Sequence, residues 1–303
     1  MNLTWSDSSR HLAVLLAMTG SSCTTDGSGS TGSNSSSSGT PSSSSDTAEP
    51  ASTSGSASTS TTGSPETTDG DTTAQGCVPA EGPMVTEDVS LTAADGTELA
   101  ATVARPTEGT CLPGLLLIHQ YTNDRTQWDA LLPTFVEAGY VTIAVDLRGH
   151  GDSGPQQGAL SDILTDPDQA PLDVAAALDW LRDSPSVDNA RLGAVGTSIG
   201  ANLTIVALHK GWVSAAVPIS TRLEAVEALA GMPESLTLSN LFCLATDGDG
   251  GGVQADSCTQ LVADATGDTR LEIIEGSSAH GVTLLSQFPE VVPEFLDWLG
   301  TTL

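Results

Sequence analysis

Basic residues are scarce in this chain of 303 residues. Nine lysines and arginines stand against 38 aspartates and glutamates, the formal net charge at pH 7 is −29, and Lys210 is the single lysine. A nucleic-acid-binding protein needs a basic face that neutralises phosphates, and attachment to anionic lipid needs a basic patch. The composition therefore excludes both kinds of partner and is typical of a chain kept soluble by an acidic surface.

The apolar run near the N-terminus is too short to cross a bilayer. It extends from His11 to Met18, follows Arg10, and is followed by small residues. This order predicts a secretory signal in residues 1–23. The small residues ending at Cys23 resemble a bacterial lipoprotein signal, in which that cysteine is lipidated after cleavage. We therefore expect export from a bacterial cell, with lipid anchoring to the envelope and simple secretion as the two alternatives.

Residues 24–76 have few side chains that could form a core. Serine, threonine and glycine dominate, as in GSGSTGSNSSSSGT. Such a segment buries too little apolar surface to offset the entropy of ordering it, so it is predicted to be a disordered tether. The remainder, residues 77–303, is long enough for one domain with a substantial core.

Metal-binding cysteine patterns are also missing. After Cys23 the cysteines are Cys77, Cys111, Cys243 and Cys258, and they form no C-x-x-C pair or cysteine–histidine cluster with zinc spacing, so no metal is expected. An exported protein is expected to carry disulfides. Four cysteines allow three pairings. Cys77 with Cys111 and Cys243 with Cys258 is the most local of them, and the sequence leaves the choice open.

Strand and helix patterns alternate after the tether. The stretch VTEDVSLTAADGTELAATVARP predicts two strands around Asp95-Gly96, a frequent hairpin dipeptide. Six further strands are predicted at 114–119, 140–146, 191–196, 213–220, 240–246 and 270–276. Helices are predicted at 126–138, 171–183, 199–210, 222–230, 253–265 and 289–299. The alternation predicts an α/β fold with an eight-stranded, mostly parallel sheet and helices on both faces. Only 19 residues, Thr221 to Ser239, separate two of the strands, so no large cap domain is expected.

The stretch GAVGTSIGANL places a serine between a predicted strand and a predicted helix. Gly196-Thr197-Ser198-Ile199-Gly200 matches G-x-S-x-G, which predicts a nucleophile elbow, a turn that holds a serine hydroxyl clear of the backbone. An ordinary glycine-rich connection is the alternative. Its position at the carboxyl end of a central strand, where α/β folds build their sites, favours the elbow.

A serine nucleophile requires a base and an orienting acid. In the α/β-hydrolase order the acid and then the histidine follow the serine, and the histidines after Ser198 are His209 and His280. His209 lies about 16 Å away along the same predicted helix, which is too far, so His280 is the predicted base. Asp247 and Asp249, after the strand ending near residue 246, are the candidate acids.

The stretches NLFCLATDGDGGG and DLRGHGDSG, together with the elbow, resemble the α/β-hydrolase superfamily, especially its dienelactone-hydrolase-like and esterase members. The resemblance covers essentially all of residues 85–300. In that family the acid usually stands three places past the small residue that closes the strand. The resemblance therefore implies Asp249 as the acid, with Asp247 as the alternative.

The resemblance also implies an oxyanion hole made by two backbone N–H groups. One belongs to Ile199, directly after the nucleophile. Relatives carry His-Gly-x after the strand GLLLIH and use the N–H of x, which corresponds to Tyr121 in HQYTNDRTQW. Gln120 replaces the glycine here, and His119 is expected to fix this loop rather than react.

Two other glycine-rich patterns do not predict a ligand site. Gly149, Gly151 and Gly154 match a dinucleotide fingerprint, but Pro155 follows and no helix begins there to bind a pyrophosphate. His150, within this segment, is expected to pack the loop. The D-G-D-G sequence that starts at Asp247 lacks the later acidic ligands of a calcium loop. No cofactor is therefore expected.

Together these features predict a serine hydrolase that cleaves a small-molecule carboxylic ester. Ser198 attacks the acyl carbon, His280 acts as base, and water releases the acyl group. The first alternative is a serine peptidase of the same fold. Such enzymes often carry a large domain before the hydrolase, and the predicted tether is too small to be one. The second alternative is an exported binding protein that keeps the fold without catalysis.

Overall fold

The structure of the protein is a computed structural model that describes residues 76–303. Its strands are β1 (Glu81–Thr92), β2 (Glu98–Glu108), β3 (Leu112–Ile118), β4 (Val141–Val145), β5 (Val187–Thr197), β6 (Ala215–Ile219), β7 (Ser239–Thr246) and β8 (Thr266–Ile274). Its α-helices are α1 (Leu132–Glu137), α2 (Ala170–Asp183), α3 (Ile199–His209), α4 (Leu223–Leu229), α5 (Val253–Asp264), α6 (Val282–Gln287) and α7 (Val291–Thr302). Each predicted strand is present.

The eight strands form one sheet in the order β1-β2-β4-β3-β5-β6-β7-β8. β1 pairs with β2, and β2 with β4, in antiparallel fashion, and all the other neighbours are parallel. The hairpin turns at Asp95-Gly96, where the N–H of Gly96 donates to the carbonyl of Ala93. The predicted α/β fold with a mostly parallel sheet is confirmed.

Helices cover both faces of this sheet. Every residue of β3 is buried, and its successive side chains enter different cores because side chains of a strand alternate between faces. Leu116 and Ile118 pack with side chains of α2, α3, α4 and α5. Leu115 and Leu117 pack with side chains of α1, α6 and α7. A strand covered on both faces explains the continuous apolar run GLLLI.

The prediction of a single helix at 126–138 is wrong. A 3₁₀ turn at Arg125–Trp128 is followed by the separate helix α1. Pro133 stands in the first turn of α1. Proline has no N–H to donate to the preceding turn and its ring collides with that turn's carbonyl, so a helix can begin there but cannot continue through it. The short helix α6 and a 3₁₀ turn at Leu160–Leu164 were not predicted.

A buried arginine joins three separate parts of the chain. Arg148 is fully buried in the loop after β4. Its guanidinium donates to Asp173 of α2 from Nε at 2.9 Å and from Nη2 at 2.7 Å. It also donates from Nη1 to Asp95 of the hairpin at 2.6 Å, and this hydrogen bond lowers the pKa of Asp95 to about 2. The loop DLRGHGDSG is therefore packed around an ion-pair cluster.

The structure pairs Cys77 with Cys111 and Cys243 with Cys258. The Cα atoms are 5.3 Å apart in the first disulfide and 5.5 Å apart in the second. This is the most local of the three possible pairings. Two disulfides indicate an oxidising compartment outside the cytosol. None of the helices within 76–303 has the length and apolarity needed to cross a membrane.

The domain boundary predicted at residue 77 stays a prediction. The proposed signal at 1–23 and, but for Gly76, the tether at 24–76 lie outside the described residues. The prediction that no large cap domain separates β6 from β7 is confirmed, because that interval contains the single short helix α4.

Candidate active site

The predicted nucleophile lies at a sharp turn between β5 and α3. Ser198 has φ 55° and ψ −113°, which is an unfavourable backbone conformation for a residue with a side chain. The flanking glycines permit it. A Cβ on Gly196 would collide with the backbone of Gly200, and a Cβ on Gly200 would collide with the carbonyl of Ile118. The G-x-S-x-G spacing therefore has a steric reason in this chain, and the serine stands at the carboxyl edge of the sheet.

His280 and Asp249 contact each other directly. The Nδ1 atom of His280 lies 2.9 Å from both carboxylate oxygens of Asp249. Asp249 follows β7 and is 3% exposed, whereas His280 lies in the loop between β8 and α6 and is half-buried. An imidazole held in this way keeps its proton on Nδ1 and presents Nε2 as an acceptor.

Asp247, the alternative acid, has different partners. Its exposed carboxylate accepts from the N–H of Gly276 at 2.9 Å and of Ser277 at 3.2 Å. These backbone donors, Gly276 first, lower the pKa of Asp247 below its usual range. Asp247 therefore anchors the loop that leads to His280 without contacting the imidazole.

Ser198 and His280 line one cavity of about 580 Å³. Among residues 76–303 no hydrogen bond joins the serine hydroxyl to the imidazole. Catalytic hydrogen bonds are often long in ligand-free structures and shorten when substrate binds. Leu164, the last residue of the 3₁₀ turn at Leu160–Leu164, borders this cavity together with side chains of α4.

The predicted oxyanion donors lie at two adjacent backbone segments. Close packing of Gly200 against the carbonyl of Ile118 puts the first turn of α3 beside the loop that begins at His119. The N–H groups of Tyr121 and Ile199 have no acceptor within the described part of the chain. Both are therefore available to a developing negative charge.

Gln120, at the position where the family resemblance implies a glycine, binds the loop that carries His280. Its Oε1 accepts from the N–H of Val282 at 2.9 Å. Its own N–H donates to Oε1 of Gln127 at 3.2 Å, and Nε2 of Gln127 donates to the hydroxyl of Thr197 at 2.9 Å. The loop after β3 is thus tied to Thr197, directly before Ser198, and to Val282, two residues after His280. Gln127 was missed because its partners are far away in sequence.

His119 fixes the same loop, as expected. Its Nδ1 lies 2.8 Å from the carbonyl of Gln120, and its Nε2 accepts from the N–H of Leu147 at 3.0 Å. These partners require a neutral ring with the proton on Nδ1. Burial lowers the pKa of His119 to about 4, so the ring stays neutral. His150 packs against it, with ring centroids 5.1 Å apart.

The remaining histidine of the domain is outside the site. His209 ends α3, and its Nδ1 accepts from the N–H of Thr237 at 3.0 Å. Across residues 76–303 no group of three or more histidine, cysteine, aspartate or glutamate side chains is arranged to hold a metal ion.

Comparison with known proteins finds one matching family and a partial match to a curated protein. The family described as X-Pro dipeptidyl-peptidase (S15 family) matches residues 95–273, a range that includes Ser198 and Asp249 and ends before His280. An uncharacterized 31.7 kDa protein from the traX-finO intergenic region of Escherichia coli is 34% identical over 92 residues. That alignment covers 29% of each chain, so the chain spans under a third of the length of the curated relatives it matches.

Solved structures show the same fold at low sequence identity. The Pyrococcus furiosus esterase Pf2001 is 19% identical, with a TM-score of 0.56, over 71% of this chain and 90% of that one. An acetyl xylan esterase from Paenibacillus sp. R4 is also 19% identical, with a TM-score of 0.57, over 71% of this chain and 84% of that one. The fold is therefore that of the α/β-hydrolases.

Proposed function

This chain belongs to the X-Pro dipeptidyl-peptidase (S15) family of α/β-hydrolases, and from that premise we propose that it is a serine hydrolase that cleaves carboxylic esters. The observation that carries the proposal is the contact between His280 and Asp249 at 2.9 Å, because His280 lines the same cavity as Ser198. A nucleophile at a strained turn, a histidine and a buried acid are the groups that acyl transfer requires.

The proposed reaction uses each group in turn. The Oγ of Ser198 attacks the acyl carbon while Nε2 of His280 takes its proton, and Asp249 stabilises the resulting imidazolium. The N–H groups of Tyr121 and Ile199 bind the oxyanion. His280 then protonates the leaving alcohol, and it later activates the water that releases the acyl group from Ser198.

The ester substrate is supported by the structural relatives. Two of the proteins that share the fold are named as esterases, one of them for acetyl xylan. The cavity is bounded by the short helix α4 and a 3₁₀ turn rather than by a separate cap domain. A small acyl group fits such a site.

Peptidase activity is the second candidate, because the family that matches is described by a peptidase activity. An amide has a poorer leaving group than an activated ester, so the two activities are separable with matched substrates. The test compares hydrolysis of p-nitrophenyl acetate with that of an X-Pro p-nitroanilide. A larger kcat/KM for the anilide would assign the chain to peptide substrates and contradict the proposal.

A fluorophosphonate probe tests the nucleophile directly. We expect the probe to label the domain of residues 77–303 covalently. Ser198→Ala should abolish this labelling and lower the turnover of p-nitrophenyl acetate by at least ~10³-fold. Thr197→Ser keeps a hydroxyl next to the nucleophile and serves as the matched control. Retention of most activity by Ser198→Ala would refute the mechanism.

We further propose that the chain is exported and anchored through a lipid on Cys23. The order of Arg10, apolar run and small residues supports a signal, and the disulfides are consistent with an oxidising compartment. Metabolic labelling with palmitate should mark the protein in its bacterial host, and Cys23→Ala should abolish the label. An unlabelled, secreted product would favour simple secretion.

A further inference from the structure

One polar side chain of the cavity wall has a hydrogen-bond donor with no acceptor in residues 76–303. Asn202 is 6% exposed and lines the cavity. It lies one helical turn after the nucleophile, and its N–H donates to the carbonyl of Ser198 at 3.0 Å. Residues four apart share a helix face, and their side chains lean toward the helix N-terminus. The Asn202 amide is therefore close to the place where an acyl group would bind.

Two hydrogen bonds fix the orientation of this amide. Its Oδ1 accepts from the hydroxyl of Thr221 at 3.0 Å and from the N–H of Arg222 at 2.8 Å. The oxygen is thereby identified, and Nδ2 is the other end of the amide. Within 76–303 this Nδ2 has no acceptor, although it is not enclosed in the core. It is a fixed donor open to the cavity.

Ser220 supplies a second donor on the same cavity. It is 2% exposed and adopts φ 64° directly after β6. Its Oγ accepts from the N–H of Gly281 at 2.9 Å, so the lone pair facing that loop is occupied. The hydroxyl proton of Ser220 has no acceptor among the described residues, and it too is available to a ligand.

A purely alkyl occupant would leave both donors unpaired once it displaced water, which lowers affinity and rate. We infer that the cavity takes esters that carry an acceptor oxygen, such as an ether or carbonyl, within a few bonds of the scissile ester group, and that Asn202 and Ser220 recognise that oxygen. This inference rests on the proposed ester hydrolysis. It adds a substrate class, oxygen-substituted esters, and makes Asn202 a specificity-determining residue.

The test uses two pairs of esters that differ by exchange of a CH₂ group for oxygen. p-Nitrophenyl methoxyacetate and p-nitrophenyl butyrate place the exchange in the acyl part. 2-Methoxyethyl acetate and butyl acetate place it in the alcohol part. Each kcat/KM is divided by the rate of hydroxide-catalysed hydrolysis of the same ester, which removes intrinsic reactivity. In at least one pair we expect the ether to be preferred by about 10-fold, the order expected for one hydrogen bond.

Asn202→Asp provides the decisive variant. Aspartate keeps an oxygen that accepts from Thr221 and Arg222, but it removes the amide donor. The preference for the ether should fall about 10-fold in the pair that shows it, while the alkyl ester of that pair changes less. Thr221→Val removes one of the two hydrogen bonds that orient the amide, but it keeps the donor and the bond from the N–H of Arg222. It should therefore lower the preference less than Asn202→Asp does, and an equal loss in both variants would point to a structural role for Asn202.

Three other outcomes would overturn the inference. If the wild type cleaves all four esters and favours neither ether, or if Asn202→Asp lowers both members of a pair by the same factor, recognition of an acceptor oxygen is wrong and ester hydrolysis stands. If the wild type cleaves none of the four and resists the fluorophosphonate probe, the proposed function fails, and the inference fails with it.

Discussion

Replacement of Asp249 by asparagine should nearly abolish activity while leaving the fold intact. Both carboxylate oxygens of Asp249 lie 2.9 Å from Nδ1 of His280. Asparagine has almost the same shape, but it is neutral and one of its two polar ends is a donor. It no longer stabilises the imidazolium, and its NH₂ group favours the tautomer with the proton on Nε2, which cannot accept from Ser198.

The magnitude follows from these two losses. The same substitution in a serine protease triad lowers kcat about 10⁴-fold, which corresponds to roughly 5.5 kcal/mol of transition-state stabilisation. Because Asp249 is 3% exposed, little solvent is available to replace the lost charge. We therefore expect kcat/KM for p-nitrophenyl acetate to fall by about 10³- to 10⁴-fold in Asp249→Asn.

Asp247→Asn is the matched control, because it changes the net charge by the same amount at a position two residues away. Its carboxylate contacts the N–H groups of Gly276 and Ser277, so its loss should loosen the loop and cost less than about 10-fold in kcat/KM. Thermal unfolding of both variants checks that the domain is folded. If Asp247→Asn were the more damaging change, the acid would be Asp247 and the assignment of Asp249 would be wrong.

Four further predictions follow from the fold and the cavity. Because residues 76–303 place no cap domain over the cavity, kcat/KM should fall from acetyl and butyryl to decanoyl p-nitrophenyl esters, since each CH₂ left unburied forgoes about 0.8 kcal/mol of binding. A maximum at ten carbons or beyond would contradict this. Cys243→Ala combined with Cys258→Ala removes a crosslink over 15 residues and should lower the free energy of unfolding by about 3 kcal/mol. A reducing agent should destabilise the wild type more than this variant, because the variant no longer has this disulfide to lose. Arg148→Met leaves Asp173 buried without its partner and should cost about 3–5 kcal/mol in denaturant unfolding; adding Asp173→Leu should recover part of the loss. In the folded domain the pKa of His119 is lowered to about 4 from its ordinary 6.5. As the pH falls, the unfolded chain therefore binds a proton at this ring before the folded domain does. The stability that the neutral ring contributes is complete above pH 6.5 and is lost as the pH falls toward 4. The stability difference between wild type and His119→Asn should therefore shrink between pH 7 and pH 5, and a constant difference would show that this ring does not resist protonation.

The sheet and the elbow could be predicted because their causes are local in sequence. The run GLLLI indicates a strand covered on both faces, and β3 is such a strand. Two glycines around a serine indicate a turn with no room for side chains, and a Cβ on either Gly196 or Gly200 would collide with backbone. Where the local packing accepts only one residue type, that residue in the sequence is enough to predict the turn.

The hydrogen bonds that join the site loops could not be predicted, because their partners are distant along the chain. Gln127 lies 70 residues from Thr197, and Gln120 lies 162 residues from Val282. Glutamine fits equally well at a solvent-exposed turn, so neither residue differs from its surroundings in composition or period. The helix predicted at 126–138 failed for a related reason, since apolar spacing indicates which side chains are buried but not that Pro133 starts a new helix.

The disulfide between Cys77 and Cys111 decides how the domain carries mechanical load. Tension in the chain before Cys77 reaches the sheet through Cys111, one residue before β3. β3 has β4 on one side and β5 on the other, so the pull is resisted by two ladders of hydrogen bonds at once. β1, an edge strand with a single neighbour and many exposed residues, is bypassed. When the disulfide is reduced, the same tension acts on β1 instead and peels it from β2 one hydrogen bond at a time.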